Sequence, residues 1–242
     1  MRPMRGGFRP VFPGLRSAAA KLAVALIVGT VLYALLAESV GALLLLVPEA
    51  VLRGFVWQPL TYGFISDSPW GGIFGALILW QIGGALEQSW GSRRMVAFAI
   101  GTTVLAGVAT VLLALVLPAL RLASFAGGFV MGLALWVAYG LGFGRRQTSF
   151  WGLPVSGYML ALIGVGIVFL QGAFSRPRFL PVIPEALALL LTWAYMRLGG
   201  PSDWLLRLRS WRFQRQLRSR SKHLTLVSPD RNTPRDSDRF LQ

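Results

Sequence analysis

The sequence predicts an all-α integral membrane protein, a bundle of six transmembrane helices with both termini in the cytoplasm. Of its 242 residues, 55% are hydrophobic and only 14% are charged, whereas soluble domains carry about 25% charged residues. Long uncharged stretches recur along the chain, and a spanning helix needs roughly 20 such residues. Basic residues also cluster in alternate connections, as the orientation of a multi-pass protein requires.

Six apolar stretches predict the spans. The first is interrupted only by Glu38, the second and third carry no charge, and the sixth is the weakest because two prolines and Glu185 stand near its start. Uncharged stretches of this length are too uniform for the buried helices of a soluble protein. We do not expect the first span to be a cleaved signal peptide, because its apolar run resumes at Val40. The predicted spans are 22–42, 70–86, 95–117, 122–143, 150–174 and 179–196.

Lysine and arginine predict the orientation, since they concentrate in cytoplasmic loops. Of the 24 basic residues, only Arg53, Arg121, Arg176 and Arg178 fall outside the two terminal segments and the loops after the second and fourth spans. Six spans then place both termini in the cytoplasm, at the plasma membrane or, in a bacterium, the inner membrane. The net charge of +15 therefore reflects topology, and we expect no nucleic-acid partner.

Three regions follow from this pattern: a basic cytoplasmic segment at 1–19, the membrane domain at 20–197 and a basic cytoplasmic tail at 198–242. The tail interleaves apolar and basic residues, which is typical of a helix that lies on anionic lipid. A solvated basic tail is the alternative, and its last part, rich in Asp, Arg, Ser and Pro, is expected to be disordered. The candidate lipid-facing residues are Arg207, Arg209, Trp211 and Arg212.

The residue inventory excludes several kinds of chemistry. The chain has no cysteine, which rules out disulfides, cysteine-ligated metals and a cysteine nucleophile. Its one histidine, His223, stands in the polar tail, so the commonest general base and metal ligand is missing from the membrane domain. We expect no cofactor and no metal.

Two stretches flank the second span and carry a more specific signal. The connection before it reads Trp57-Gln58-Pro59-Leu60-Thr61-Tyr62-Gly63-Phe64, and its end reads Gly83-Gly84-Ala85-Leu86-Glu87-Gln88-Ser89-Trp90-Gly91-Ser92. They resemble the W-[RQ]-x-x-T-Y-x-F and G-x-x-x-E-x-x-x-G-S motifs of the rhomboid family of intramembrane serine proteases. The small residues Gly127 and Gly128 in the fourth span also fit. The resemblance is specific over residues 57–94 and weaker over 20–200, and it implies a rhomboid-like six-helix bundle.

Each motif residue also has a physical interpretation. We expect Trp57 to sit at headgroup depth and Thr61 to bond locally, so that the outer loop is held against the bundle. Gly83 and Gly84 permit close approach of another helix. Glu87, where the second span meets the cytoplasm, can cap or bond adjacent backbone. Plain packing is the alternative for each.

The positions that the resemblance assigns to catalysis carry no catalytic groups. The oxyanion-stabilising His and Asn of the second span correspond to Gly71 and Gly75, and the nucleophilic serine corresponds to Ala126. The sixth span contains no histidine base. Nearby Ser124 has no histidine to accept its proton, and an unactivated hydroxyl is a poor nucleophile. The resemblance therefore implies a pseudoprotease.

Three functions remain open. The favoured one is a non-catalytic protein that contacts membrane lipids and binds a transmembrane client, with Gly71 and Gly75 forming a small-residue groove. The same glycines can instead serve internal packing. The alternative is an active rhomboid-type serine endopeptidase with an unrecognised arrangement. Less favoured is a transporter that uses Glu38 and Glu185, which stand near the outer ends of their spans, where water can reach them.

The predicted orientation can be tested with topology reporters. A reporter fused after Gln242 should report a cytoplasmic location, and one inserted within 48–68 should report the opposite side of the membrane. The reason is that the basic residues concentrate before the first span and after the second, fourth and sixth spans. An external C-terminus would contradict the six-span arrangement.

Overall fold

The computed structural model describes residue 14 and residues 16–36, 41–144, 147–150, 153–177 and 179–198. Short 3-10 turns occupy Gly41–Leu43, Tyr62–Phe64 and Pro118–Leu120. Within the described ranges the helices are α1 (Ala18–Leu36), α2 (Pro48–Leu52), α3 (Gln58–Thr61), α4 (Pro69–Trp90), α5 (Ser92–Val116), α6 (Gly128–Phe143), α7 (Gly157–Phe174) and α8 (Ile183–Leu198).

Four of these helices, α1, α4, α5 and α7, are long and apolar enough to cross a membrane. They correspond to the first, second, third and fifth predicted spans. The helices in the fourth and sixth predicted spans, α6 and α8, have 16 residues each, fewer than the roughly 20 that a perpendicular span needs. The mostly helical membrane architecture is therefore present, with four spans assigned by length and composition.

The fifth predicted span differs from the structure at its start. Residues Gln147–Phe150 form strand β1, which pairs antiparallel with strand β2 at Leu153–Ser156, and α7 begins only at Gly157. Pro154 has no N–H and disfavours a helix interior, while the Ser156 hydroxyl accepts a hydrogen bond from the Met159 N–H at 3.3 Å and caps the helix. The prediction of an all-α fold is therefore wrong over this hairpin.

The fourth predicted span is also shorter than expected, because its first residues pair with the outer loop instead of forming helix. Leu46 and Phe125 exchange two backbone hydrogen bonds of 3.0 and 2.9 Å. The N–H groups of Gly127 and Gly128 donate to the carbonyls of Tyr62 and Ile65, both at 2.8 Å. Non-helical backbone at membrane depth is tolerated only where protein groups satisfy it, so this pairing determines that α6 begins at Gly128.

The central element of the described bundle is α6, in which every residue from Val130 to Gly140 is buried. It packs against α4, α5, α7 and α8, while α1 packs on α4 and α8 also packs on α5. A helix that is apolar on all sides belongs in the interior of such an assembly. Glycines allow the closest approaches, as where a Cβ on Gly140 would lie only 2.6 Å from the Gly157 carbonyl oxygen.

The outer faces of the peripheral helices are apolar as well. Leu35 on α1, Leu112 on α5 and Leu162 on α7 are all more than half exposed. Soluble monomers rarely expose large apolar areas, so these exposed faces indicate a lipid or protein environment. The interior and the exterior of the bundle are thus both apolar, as expected for helices that lie in a bilayer.

Gly75 lies at the contact between α4 and α6, and its replacement tests that packing. A Cβ there would lie 3.0 Å from the Gly128 carbonyl oxygen and 3.1 Å from Leu26 Cδ2. Gly75→Leu should therefore lower the free energy of unfolding by about 1–3 kcal/mol or more through overpacking. Thermal unfolding in detergent measures the change.

The matched control is Gly101→Leu. Gly101 also lies in a long apolar helix, but a Cβ there would meet nothing within 4 Å. It should leave the unfolding temperature nearly unchanged. Equal effects of the two substitutions would contradict the close packing at Gly75.

Candidate functional site

A cavity of about 460 Å³, which we call the central cavity, is lined by side chains from four helices. Its walls come from α4, α6, α7 and α8 and from the connections that precede α4, α6 and α8. Its volume falls within the usual range for ligand sites, about 300–1,000 Å³. The lining residues are Ser66, Asp67, Ser68, Trp70, Gly71, Phe74, Leu77, Ile78, Gln81, Ile82, Ser124, Phe125, Ala126, Phe129, Trp136, Ile167, Gln171, Pro181 and Glu185.

Two of the three positions that the rhomboid resemblance assigns to catalysis line this cavity. Gly71 and Ala126 face it together with Ser124. Gly75 is not among the described lining residues and is buried against the backbone of Gly128. Gly71 and Gly75 therefore do not share one wall of the cavity.

Gly71 makes room for two serine hydroxyls. A Cβ on Gly71 would lie 2.6 Å from Ser66 Oγ and 2.9 Å from Ser68 Oγ. The Ser68 hydroxyl accepts a hydrogen bond from the Gly71 N–H at 3.0 Å, and the Ser66 hydroxyl donates to the Ser68 carbonyl at 2.9 Å. These serines therefore cap and order the start of α4.

The titratable groups of the cavity are both acidic. Asp67 is exposed at its rim, and Glu185 is buried at the start of α8. The described lining residues include no histidine and no lysine, so Ser124 has no base of the kind that activates a hydroxyl. Among the described residues, no cluster of three or more His, Cys, Asp or Glu side chains could hold a metal ion.

Glu185 is the cavity residue whose exposure to water was predicted wrongly from the sequence. Its position near the outer end of a span predicted contact with water, yet its side chain is only 4% exposed. The sequence contained one signal, since Glu185 stands in the region where the resemblance expects the missing histidine. Its burial follows from the packing of α8 against α6 and α5.

The outer-loop motif holds the chain that precedes α2. Gln58 is buried, its Oε1 accepts a hydrogen bond from the Val47 N–H at 3.0 Å, and its Nε2 donates to the Leu43 carbonyl at 3.4 Å. The Thr61 hydroxyl donates to the Leu44 carbonyl at 2.9 Å. The half-exposed Trp57 donates its indole N–H to the Leu43 carbonyl at 3.2 Å. Three polar side chains of one motif thus satisfy the backbone of residues 43–47.

Tyr62, the neighbour of Thr61, has a structural role that sequence reasoning missed. Its fully buried phenol donates a hydrogen bond to the Thr103 carbonyl at 2.7 Å, and burial raises the pKa of this phenol. A Cβ on Gly127 would overlap the Tyr62 ring, which explains why a small residue stands there. Gly128 similarly leaves room for Leu26 and the Ile65 carbonyl.

Glu87 joins three elements at the opposite end of the bundle. Its carboxylate oxygens accept hydrogen bonds from the Ala18 and Ala19 N–H groups at 3.0 and 2.9 Å and from the Ser92 hydroxyl at 2.6 Å. A carboxylate at the N-terminus of α1 satisfies free amides and interacts favourably with the helix dipole.

The glycines around Glu87 have separate roles. Gly83 brings α4 close to α1 and α6, since a Cβ there would lie 3.3 Å from the Ala19 Cβ, and Gly84 is buried beside it. Gly91, with φ of +82°, forms the turn into α5, and this backbone conformation favours glycine. The candidate lipid-facing residues of the tail lie outside the described residues, as do the regions 1–13 and 199–242.

Comparison with known proteins adds one match. A family model described as "Eukaryotic integral membrane protein (DUF1751)" matches residues 20–199. This range covers the membrane domain and ends where the tail begins. No curated protein matches the chain. The family description states a membrane location and no activity.

The outer-loop hydrogen bonds can be tested with a pair of isosteric substitutions. Thr61→Val removes the hydroxyl that satisfies the Leu44 carbonyl, so it should lower the free energy of unfolding by about 1 kcal/mol. Thermal unfolding in detergent measures the loss.

Thr192→Val is the matched control. The Thr192 hydroxyl is buried on α8 and has no hydrogen-bond partner within the described part of the chain. Thr192→Val should leave the free energy of unfolding unchanged or raise it, because removal of this hydroxyl breaks no hydrogen bond. If Thr61→Val is equally harmless, the motif does not hold the loop.

Proposed function

The chain belongs to the DUF1751 family of integral membrane proteins, and on that premise we propose that it is a rhomboid-like pseudoprotease that binds other transmembrane proteins. The proposal includes six spans, with α6 and α8 as the two short ones, and both termini in the cytoplasm. It also includes a membrane client and contact of the tail with lipid.

One observation carries the proposal. Gly71, Ala126 and Glu185 are far apart in the sequence, yet they line one cavity from α4, from the connection before α6 and from α8. These are the regions where the resemblance expects the oxyanion histidine, the nucleophile and the base. The anchored Trp57–Thr61 motif and the Glu87 cap support the same relationship.

The same cavity argues against proteolysis. Hydrolysis by this class of enzyme needs a nucleophile, a base and preorganised donors for the oxyanion. Gly71 and Ala126 supply none of these with their side chains, and the histidine of the sequence lies in the tail. Ser124, which is exposed at the cavity, is the observation that favours the alternative of an active endopeptidase.

Client binding is supported by the apolar side chains of the central cavity that remain exposed. Trp70 and Phe74 both line the cavity and are 69% and 49% exposed. A helix is about 10–12 Å across with its side chains, so a cavity of about 460 Å³ accommodates side chains but no whole helix. A client helix would therefore lie across the cavity and insert side chains.

The first prediction of this proposal is the absence of proteolysis. The purified protein in bilayers should neither cleave model rhomboid substrates nor react with a serine-directed fluorophosphonate, because no base activates a serine. Ala126→Ser should restore no activity for the same reason. Cleavage that disappears in Ser124→Ala would establish the endopeptidase instead.

The second prediction concerns the contact surface of the client. A photo-crosslinking amino acid at Phe74, which lines the cavity and is half exposed, should capture defined transmembrane proteins in native membranes. The matched control is the same probe at Leu112, which is similarly apolar and exposed but lies on α5 away from the cavity. Mass spectrometry identifies the captured proteins. Identical captures from both positions would indicate random encounters and contradict the proposal.

A further inference from the structure

A second cavity, which we call the α1–α4 groove, lies between α1 and α4 and has a volume of about 400 Å³. Its three alanines are buried, whereas four of its larger side chains are exposed, so the small residues leave space between apolar rims. Every lining side chain is apolar or aromatic, which suits a hydrocarbon occupant. The lining residues are Ala20, Ala23, Val24, Ile27, Val28, Ile73, Ala76, Leu77 and Trp80.

The groove is too narrow for a protein helix. Its wall on α1 runs from Ala20 to Val28, which is about 12 Å of helix. A partner helix of that length, about 10–12 Å across with its side chains, would occupy roughly 1,000 Å³, which is more than twice the volume of the groove. An extended hydrocarbon chain is only one methylene group wide and can lie along the space between the two helices. An acyl chain of a membrane lipid is therefore the occupant that fits.

A basic residue stands at one end of this groove. Lys21 directly follows the first lining residue, and its spacing places it on the same face of α1 as Val24 and Val28, three and seven residues on. The Lys21 side chain is exposed and makes no ion pair with a carboxylate of the described residues. A lysine near a helix end can lay its methylene groups on apolar surface and extend its ammonium to the level of the lipid headgroups.

Glu87 is the carboxylate at this end of α1, and it does not neutralise Lys21 by direct contact. Its oxygens accept hydrogen bonds from the Ala18 and Ala19 N–H groups and from the Ser92 hydroxyl. Lys21 acts on Glu87 only through longer-range electrostatic attraction. The Lys21 ammonium therefore remains available to an anion outside the protein.

We propose that the α1–α4 groove holds one acyl chain of an anionic phospholipid, whose phosphate group contacts the Lys21 ammonium. The apolar lining takes the methylene groups, and lysine binds phosphate as a compact positive charge. The tail at 199–242 is itself strongly basic, so it offers Lys21 no complementary charge. The proposed function makes this the cytoplasmic end of α1, but the lipid site does not rest on that orientation.

The test is photo-crosslinking of the full-length protein in phosphatidylcholine vesicles whose two leaflets have the same composition. A small fraction of either phosphatidylglycerol or phosphatidylcholine carries a diazirine near the middle of one acyl chain, and mass spectrometry locates the crosslinked residues. The control surface is the exposed apolar face of α7, which lies outside the groove. Its residues include Leu162, Val165 and Phe169.

The yield from phosphatidylglycerol is divided by that from phosphatidylcholine at each surface, which cancels differences in depth and reactivity. This ratio should be about fivefold higher in the groove than on α7, the preference expected from one basic residue for an anionic lipid. Equal ratios at the two surfaces would overturn the proposal. Weaker crosslinking of the groove than of α7 by both lipids would show that protein covers the groove, and would overturn it as well.

A charge variant then assigns the preference to one residue. Lys21→Gln should reduce the ratio in the groove to that on α7, whereas Lys21→Arg should retain most of the preference. Arg197→Gln is the matched control, because Arg197 is an exposed basic residue in the last turn of α8, which packs on α5 and α6. Equal losses in Lys21→Gln and Arg197→Gln would indicate diffuse attraction of anionic lipid and overturn the proposal. If Lys21→Gln does not fold, as thermal unfolding would show, the ratios on the unaltered protein decide.

Discussion

The arrangement of this bundle depends on satisfying backbone that is not helical. The chain entering α6 donates through Gly127 and Gly128 to carbonyls of the outer loop, and Leu46 and Phe125 exchange two more bonds. Lipid offers no partners for such groups. The loop and the start of α6 are therefore interdependent, because each satisfies the other. The side chains of Gln58 and Thr61 likewise satisfy non-helical backbone before α2, through hydrogen bonds to the Val47 N–H and the Leu44 carbonyl.

Small residues make that pairing geometrically possible. Gly127 leaves space for the Tyr62 ring, and Gly75 and Gly128 bring the backbones of α4 and α6 together. Gly71 and Gly75, which stand at positions that the rhomboid resemblance assigns to catalysis, thus have different structural consequences. Gly75 serves packing, whereas Gly71 lines the cavity and accommodates the hydroxyls of Ser66 and Ser68.

The other end of the bundle is held by hydrogen bonds to one carboxylate. Glu87 reaches from α4 to the first amides of α1 and to Ser92 at the start of α5. One carboxylate therefore positions the ends of three helices, where water and screening weaken isolated ion pairs. The outer loop is thus tied at one end of the bundle and α1 at the other. The central cavity is lined in part by the segments that enter α4, α6 and α8, and the buried Glu185 lies in that lining.

The sequence by itself determined the membrane class and the four long helices, because an uninterrupted apolar run of sufficient length has no soluble alternative. It also identified the Trp57–Thr61 and Gly83–Gly91 stretches, since a motif of fixed residue types at fixed spacing can be recognised without knowing any tertiary contact. Only the tertiary structure decided that α6 begins at Gly128, that residues 147–156 form a hairpin, that Gly75 faces α6 and that Glu185 is buried beside a cavity. The physical reason is that periodicity reports local preference, whereas these features depend on hydrogen bonds and packing between segments far apart in the chain.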